Sequence, residues 1–139
     1  MYAIRAVVLI ASDRGKRWPL SSIAEGTGAP EAFMAKVLQK LVHAGILDSV
    51  KGHGGGFGSP AHMAAGLKLG DVVAAIDGDA LFKGCALGFP RCDETKPCPV
   101  HDQVMQVRAG LLGILGDTLI ADLGHGLHDG DSFLKGKMC

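Results

Sequence analysis

The stretch "IAEGTGAPEAFMAKVLQKLVHAGILDSVKGHGGGFGSP", residues 23–60, decides the fold because two helical patterns, a glycine turn and a glycine-rich hairpin follow one another in it. The first pattern begins slightly earlier, at "LSSIAEGTG", and predicts a short helix with Ser21 or Ser22 as N-cap and Glu25 in the capping-box position. The second predicts a longer helix with Pro30 in its first turn. Two helices joined by a tight turn make a helix-turn-helix, whose second helix can enter the DNA major groove.

A glycine-rich hairpin follows the second helix directly. The segment "ILDSVKGHGGGFGSP" predicts two short strands around a loop, the arrangement called a wing. A flexible hairpin in an unrelated helical domain is the alternative. A nucleotide-phosphate loop is disfavoured because Phe57 takes the third glycine's place in G-x-G-x-x-G after Gly52 and Gly54, and no G-x-x-x-x-G-K-[ST] occurs. The helix-turn-helix and the wing together predict a DNA-binding domain.

Length and composition limit the possible classes. A chain of 139 residues with 47% hydrophobic and 20% charged residues predicts one folded domain. The formal net charge of zero argues against indiscriminate polyanion binding. Asp117 and Asp122 interrupt the most apolar region, so no membrane span is expected. We expect a cytoplasmic protein, and in a reducing compartment close-set cysteines favour metal ligation or redox chemistry over structural disulfides.

Three of the four cysteines and a histidine fall within "CALGFPRCDETKPCPVH", with the spacing C-x6-C-x5-C-x2-H. Thiolates are the usual ligands of iron–sulfur clusters, and histidine can replace one of them. Zinc is an alternative because Cys3His is an ordinary zinc set, although short C-x2-4-C knuckles are missing, and a metal-free thiol redox group is a third. The fourth cysteine, Cys139, and the nearby His125 and His128 are expected in a solvated tail. The candidate metal ligands are Cys85, Cys92, Cys98 and His101.

The region after the cysteines predicts a long helix. Apolar residues recur there at alternating steps of three and four, which suits packing against a partner helix. Gly110, Gly113 and Gly116 lower helix propensity and are costly unless they allow a close backbone approach. The expected dimer contacts are Val104, Val107, Leu111, Ile114 and Thr118.

The wing "AGILDSVKGHGGGF", the following "LKLGDVVAAIDG" and three cysteines before a long helix resemble the IscR/NsrR family of bacterial winged-helix transcription regulators. The resemblance covers residues 2 to about 123. It implies a mainly α (α+β) fold: a winged helix-turn-helix domain at 1–78, a cluster-binding loop at 79–101, a dimerisation helix at 102–123 and a tail at 124–139. It also implies a homodimer that binds an imperfect palindrome in double-stranded DNA.

The resemblance further implies an iron–sulfur cluster that tunes DNA binding. His101 stands where the two-iron branch of the family has a histidine ligand, so a two-iron cluster is favoured over a four-iron one. The nitric-oxide-sensing branch takes a ligand from an acidic residue just before the helix-one tyrosine, and Met1 precedes Tyr2 here. An enzyme is not expected, because C-x-x-C and nucleophile-elbow motifs are both missing. A cluster carrier would have no need of the helix-turn-helix and wing.

Positions that match the family's DNA-reading residues lie at the start of the second helix, on the third helix and in the wing. Of those on the third helix, Lys36 alone has a long donor able to reach a guanine edge or a phosphate. Lys51 opens the wing, where a cation contacts phosphate or enters the minor groove, and His53 assists. The expected DNA contacts are Ser21, Ser22, Pro30, Ala32, Ala35, Lys36, Lys51 and His53.

Overall fold

The computed structural model describes residues 2–61, 66–85 and 87–134, so Met1 and Cys139 lie outside the described residues. Seven helices and one two-stranded sheet make up this part of the chain, which confirms the mainly α (α+β) winged-helix fold class. No helix in the described ranges is long and apolar enough to cross a membrane. In chain order the elements are α1 (Tyr2–Ser12), α2 (Leu20–Thr27), α3 (Glu31–His43), β1 (Asp48–Val50), β2 (Gly56–Gly58), α4 (Leu69–Asp77), α5 (Ala80–Lys83), α6 (His101–Asp117) and α7 (Ile120–His128).

The hydrophobic core joins α1, α2 and α3. The α3 side chains that face it recur at helical spacing, and Met34, Leu38 and Leu41 are completely buried. Ile10 of α1 and Ile23 of α2 are buried to the same degree. Because burying such a side chain stabilises a fold by about 1.5–3 kcal/mol, this cluster holds the orientation of α3 relative to the rest of the domain.

The two helices of the predicted helix-turn-helix begin at other residues than the sequence patterns suggested: α2 begins at Leu20, before both serines, and α3 begins at Glu31, after Pro30. Pro19, rather than Ser21 or Ser22, is the N-cap of α2, because its extended backbone directs its carbonyl to accept the Ile23 N–H at 3.1 Å. Neither serine caps the helix with its side chain. Pro30 likewise is the N-cap of α3 and not a residue of its first turn. Proline suits both places because its φ is preset and its missing N–H has no helical partner.

The wing is a three-residue antiparallel pair, β1 and β2, in which Ser49 faces Phe57. Trp18 adds one further bridge on the other side of Phe57, through hydrogen bonds of 2.9 and 2.8 Å. A Cβ on Gly55 would lie 2.1 Å from the Val50 carbonyl oxygen, and Gly56 has a φ of 135°. The glycine run therefore serves the tight return of the wing, since larger residues would collide with the backbone.

The single helix expected over 102–123 is divided in the structure. α6 ends at Asp117, and Thr118 and Leu119 are extended. Thr118 accepts the Leu69 N–H at 2.9 Å, and the two extended residues thereby pair with the segment before α4. These backbone hydrogen bonds replace the helical ones at this point, so Thr118 leaves the predicted seam of α6.

α7 packs across α1 and includes residues that were expected in a tail. Gly124 is buried against α1, and a Cβ there would lie 2.7 Å from the Ala11 carbonyl carbon. This close approach requires glycine. His125 and His128 are exposed on α7, so the predicted tail over 124–139 is helical up to His128.

Candidate functional site

The loop between α5 and α6 brings the four predicted metal ligands to one pocket. Cys85, Cys92, Cys98 and His101 all line a cavity of about 370 Å³. Each of the four is half-buried, whereas most of the other loop residues are exposed. Residues separated by up to 16 positions in the sequence are therefore neighbours in space.

Within the pocket the four donors form two pairs. Cys92 Sγ lies 3.4 Å from His101 Nδ1. The Cys98 thiol lies close enough to the Cys85 thiol to contribute to the lowering of the Cys85 pKa. Among the described residues no group of three or more His, Cys, Asp or Glu side chains is arranged to hold one metal ion. Thiolates with an imidazole are ligands both of zinc and of iron–sulfur clusters, so the donor types fit either group.

The Cys85 thiol has a lowered pKa. The backbone N–H groups of Leu87 and Phe89 donate to it and lower its pKa below the ordinary thiol value, with the Cys98 thiol contributing less. A lowered pKa increases the thiolate fraction near neutral pH. Because the thiolate is both the metal ligand and the nucleophile, Cys85 is prepared for either role.

Turns at the two ends of the loop explain its local conformation. Gly88 has a φ of 79° and donates its N–H to the Cys85 carbonyl at 3.1 Å, which closes a turn after the first cysteine. At the other end, the His101 N–H donates to the Cys98 carbonyl at 3.0 Å as α6 begins. The last candidate ligand is therefore also the first residue of α6.

The eight predicted DNA-contact residues lie on α2, α3 and the wing. Ser21 and Ser22 occupy the first turn of α2, and Ser21 is exposed. On α3, Lys36 is exposed on the side opposite the buried face. Most of the eight residues are exposed to solvent. Besides Ser21, these are Pro30, Ala32, Lys36, Lys51 and His53, whereas Ser22 and Ala35 are half-buried.

The exposed face of α3 continues beyond the residues chosen from the sequence. Gln39, Lys40 and His43 follow Lys36 on its exposed side. Their helical spacing from Lys36 was a signal that could have identified them. Gln39 and His43 also line a groove of about 440 Å³ between α3 and the wing, together with Lys51. Two lysines, a glutamine and a histidine are thus exposed along α3.

The predicted partner-facing seam of α6 is largely exposed. Val107 is 73% exposed and Ile114 is 58% exposed, whereas Leu115 on another side is buried. Val104 and Leu111 are half-buried and line an apolar groove of about 630 Å³ between α5 and α6. A helix that presents several apolar side chains to solvent is typical of an interaction surface.

Comparison with known proteins gives a consistent set of similarities. A family model described as "Rrf2: Iron-dependent Transcriptional regulator" matches residues 1–126. The chain is 28% identical over 123 residues to the HTH-type transcriptional regulator IscR of Vibrio atlanticus (strain LGP32), covering 88% of this chain and 70% of that protein.

Solved structures with the same fold include two regulators, each 20% identical to this chain. IscR of T. potens has a TM-score of 0.72 and covers 94% of this chain and 86% of its own. CymR, the global cysteine regulator of B. subtilis, has a TM-score of 0.70 and covers 88% of this chain and 90% of its own.

Proposed function

The chain belongs to the Rrf2 family of transcriptional regulators, and we propose that it is a dimeric DNA-binding regulator whose operator affinity responds to an iron–sulfur cluster. Cys85, Cys92, Cys98 and His101 are the proposed ligands. The observation that carries the proposal is their position around one pocket, directly before the helix that presents an apolar face for a partner.

The paired arrangement of the donors supports a cluster over a single ion. A two-iron cluster takes two protein ligands on each iron, and the Cys85–Cys98 and Cys92–His101 pairs provide two donors each. A histidine ligand raises the potential relative to a thiolate and makes ligation depend on protonation. When bound, the cluster would supply a redox- and iron-dependent link between the two pairs.

The proposed DNA-binding surface consists of the exposed face of α3 and the wing. α3 would enter the major groove, where Lys36 is able to reach a guanine edge or a phosphate. Lys51 and His53 would contact phosphate or the adjacent minor groove. Ser21 and Ser22 lie at the N-terminus of α2, where hydroxyl and backbone donors suit a phosphate.

The proposed dimer is formed by α6, through Val104, Val107, Leu111 and Ile114. Two recognition helices must then match half-sites about 34–36 Å apart on an imperfect palindrome. Because His101 is both a proposed ligand and the first residue of α6, a change in the loop alters the start of the dimer helix. That change would alter the spacing of the two α3 helices and hence the affinity for the operator.

A cluster-free thiol regulator is the second candidate, because Cys85 and Cys98 line the same pocket and the pKa of Cys85 is lowered. CymR, which has the same fold, is named a cysteine regulator. In this alternative an external disulfide oxidises both thiols to a Cys85–Cys98 disulfide and is itself reduced to two thiols. Operator affinity would then depend on thiol oxidation and not on iron.

Anaerobic purification with iron and sulfide analysis tests the choice between these candidates. We expect about two irons and two sulfides per chain, a visible chromophore and a Mössbauer spectrum with two inequivalent iron sites. Cys92→Ala should abolish the chromophore, whereas Cys139→Ala, which removes the one cysteine that is not a proposed ligand, should keep it. Stoichiometric zinc without sulfide, or a colourless protein with reversible thiol oxidation, would contradict the cluster and leave the DNA-binding proposal intact.

A further inference from the structure

A side chain of α6 reaches back to the beginning of the cysteine loop. The guanidinium of Arg108 donates a hydrogen bond to the Gly84 carbonyl, immediately before Cys85. The other terminal nitrogen of Arg108 lies 3.8 Å from the Met105 sulfur. Arg108 is half-buried beside Cys85 in the groove between α5 and α6, so its side chain is packed and not simply extended into solvent.

Gly84 is constrained on its other side as well. Its N–H donates to the Ala80 carbonyl at 2.7 Å, which closes the last turn of α5. A Cβ at this position would lie 2.6 Å from the same carbonyl oxygen, so only glycine fits without a shift. The Gly84 N–H is thus bonded to α5, and the Gly84 carbonyl is bonded to Arg108 of α6. These two hydrogen bonds fix the residue immediately before Cys85.

The loop is therefore attached to α6 at two points about two helical turns apart. Arg108 holds its beginning, and the His101 N–H holds the Cys98 carbonyl at its end. Between these points Arg91 and Lys96 are exposed, and Asp93 bonds locally to Thr95. Cys85 and Cys98, which belong to the same donor pair, are thus each next to one of the attachment points.

We propose that Arg108 is a positioning residue that holds Cys85 in place as a ligand and connects the first half of the loop to the dimer helix. The proposal rests on the cluster-regulated function above. Arg108 touches the backbone beside a ligand and is itself neither a ligand nor a DNA contact. Loss of the hydrogen bond would free the Gly84–Cys85 peptide, weaken the Cys85 side of the pocket and separate movements of the loop from movements of α6.

Backbone amide exchange in the cluster-free protein tests the attachment without any cluster. The Gly88 amide donates to the Cys85 carbonyl. In Arg108→Met it should exchange at least about fivefold faster than in wild type, which corresponds to about 1 kcal/mol for one hydrogen bond. The His101 amide should keep its rate, since a general loss of stability would accelerate both. Arg108→Lys should restore part of the protection, and Arg14→Met, at an exposed position outside the loop, is the charge-matched control. Unchanged exchange at Gly88 in Arg108→Met would overturn the proposal.

The ligand-positioning role is tested by cluster release. Under anaerobic conditions with an iron chelator, Arg108→Met should lose its chromophore at least about fivefold faster than wild type, and Arg108→Lys should be intermediate. Equal release rates and identical visible spectra for all three proteins would refute the positioning role even if exchange at Gly88 changed. If wild type holds no cluster while Gly88 still exchanges faster in Arg108→Met, the attachment stands and the cluster function fails, so the two failures are distinguishable.

Discussion

Removal of the wing lysine should change the salt dependence of DNA binding by a calculable amount. Lys51 is exposed at the start of the wing turn. It belongs to neither of the two ion pairs in the described part of the chain, Arg17–Asp48 and Lys83–Asp79. Its charge is therefore available for a phosphate. Each phosphate neutralised on duplex DNA contributes about 0.9 to the slope of log affinity against log salt. A dimer carries two copies of Lys51, so Lys51→Ala should lower the slope by about 1.8.

The consequence is large enough to measure. Between about 50 and 200 mM salt, a slope difference of about 1.8 changes the ratio of wild-type to variant affinity roughly 12-fold. The variant should bind much more weakly than wild type at low salt, and the difference should shrink as salt rises. A contact to a base edge without phosphate neutralisation would instead weaken binding at all salt concentrations alike.

A fluorescence-anisotropy titration across this salt range, with a duplex selected from a random pool by the wild-type protein, is the assay. Lys83→Ala removes the same charge from α5, away from the proposed DNA surface, and is the control that keeps the full slope. Equal slopes for Lys51→Ala and Lys83→Ala would refute the assignment of the wing to phosphate contact.

Three further substitutions test the dimer interface, the histidine ligand and the packing of α7 on α1. Leu111→Asp should convert the dimer to monomers in sedimentation, because a charge would be buried without a partner. Ala109→Asp, on another side of α6, should leave the dimer intact. A dimeric Leu111→Asp protein would place the interface elsewhere. His101→Cys should keep a cluster, with a lower reduction potential that no longer varies with imidazole protonation. Redox titration at several pH values measures this, and equal potentials of wild type and variant at every pH would contradict it. Gly124→Ala should destabilise the fold by roughly 1–3 kcal/mol in denaturant unfolding, because its Cβ would meet the α1 backbone. The control is Gly113→Ala, which has open space around it and should be neutral or stabilise the fold by up to about 1 kcal/mol. Equal effects of the two substitutions would contradict the packing of α7 on α1.

The DNA-binding half of the fold was predictable because its signals are local. Helical spacing in α3 and the glycine run of the wing each depend on residues close in sequence, and the structure confirms both elements. The family resemblance is confirmed as well. The serine caps were wrong because Pro19 provides the first helical acceptor, a difference of two or three residues that a capping pattern does not resolve.

Features that depend on distant residues were not visible in the sequence. The break after Asp117 arises from pairing of Thr118 and Leu119 with residues 67–69, about 50 positions earlier. The segment "IADLGHGLH" forms α7 because it packs against α1. Its two glycines lower helix propensity, so the sequence of the segment alone does not predict a helix. The contact between Arg108 and Gly84 spans 24 residues and has no sequence pattern of its own.

The candidate site was partly accessible to sequence reasoning. Cysteine spacing predicted four donors, and these four residues line one pocket. Division of the donors into two pairs could not be predicted, because it depends on the path of the loop between them. The cluster, its iron count and the dimer remain predictions.

The most direct test of the central claim compares the DNA affinity of one preparation with and without its cluster. Anaerobically purified protein is divided, one half is stripped with a chelator under reducing conditions, and both halves are titrated with duplexes selected from random pools by each form. The two forms should differ at least about tenfold in affinity for one selected duplex, and Cys92→Ala should behave like the stripped protein before and after treatment. Equal affinities of loaded and stripped wild type for every selected duplex would contradict a cluster-regulated transcription factor.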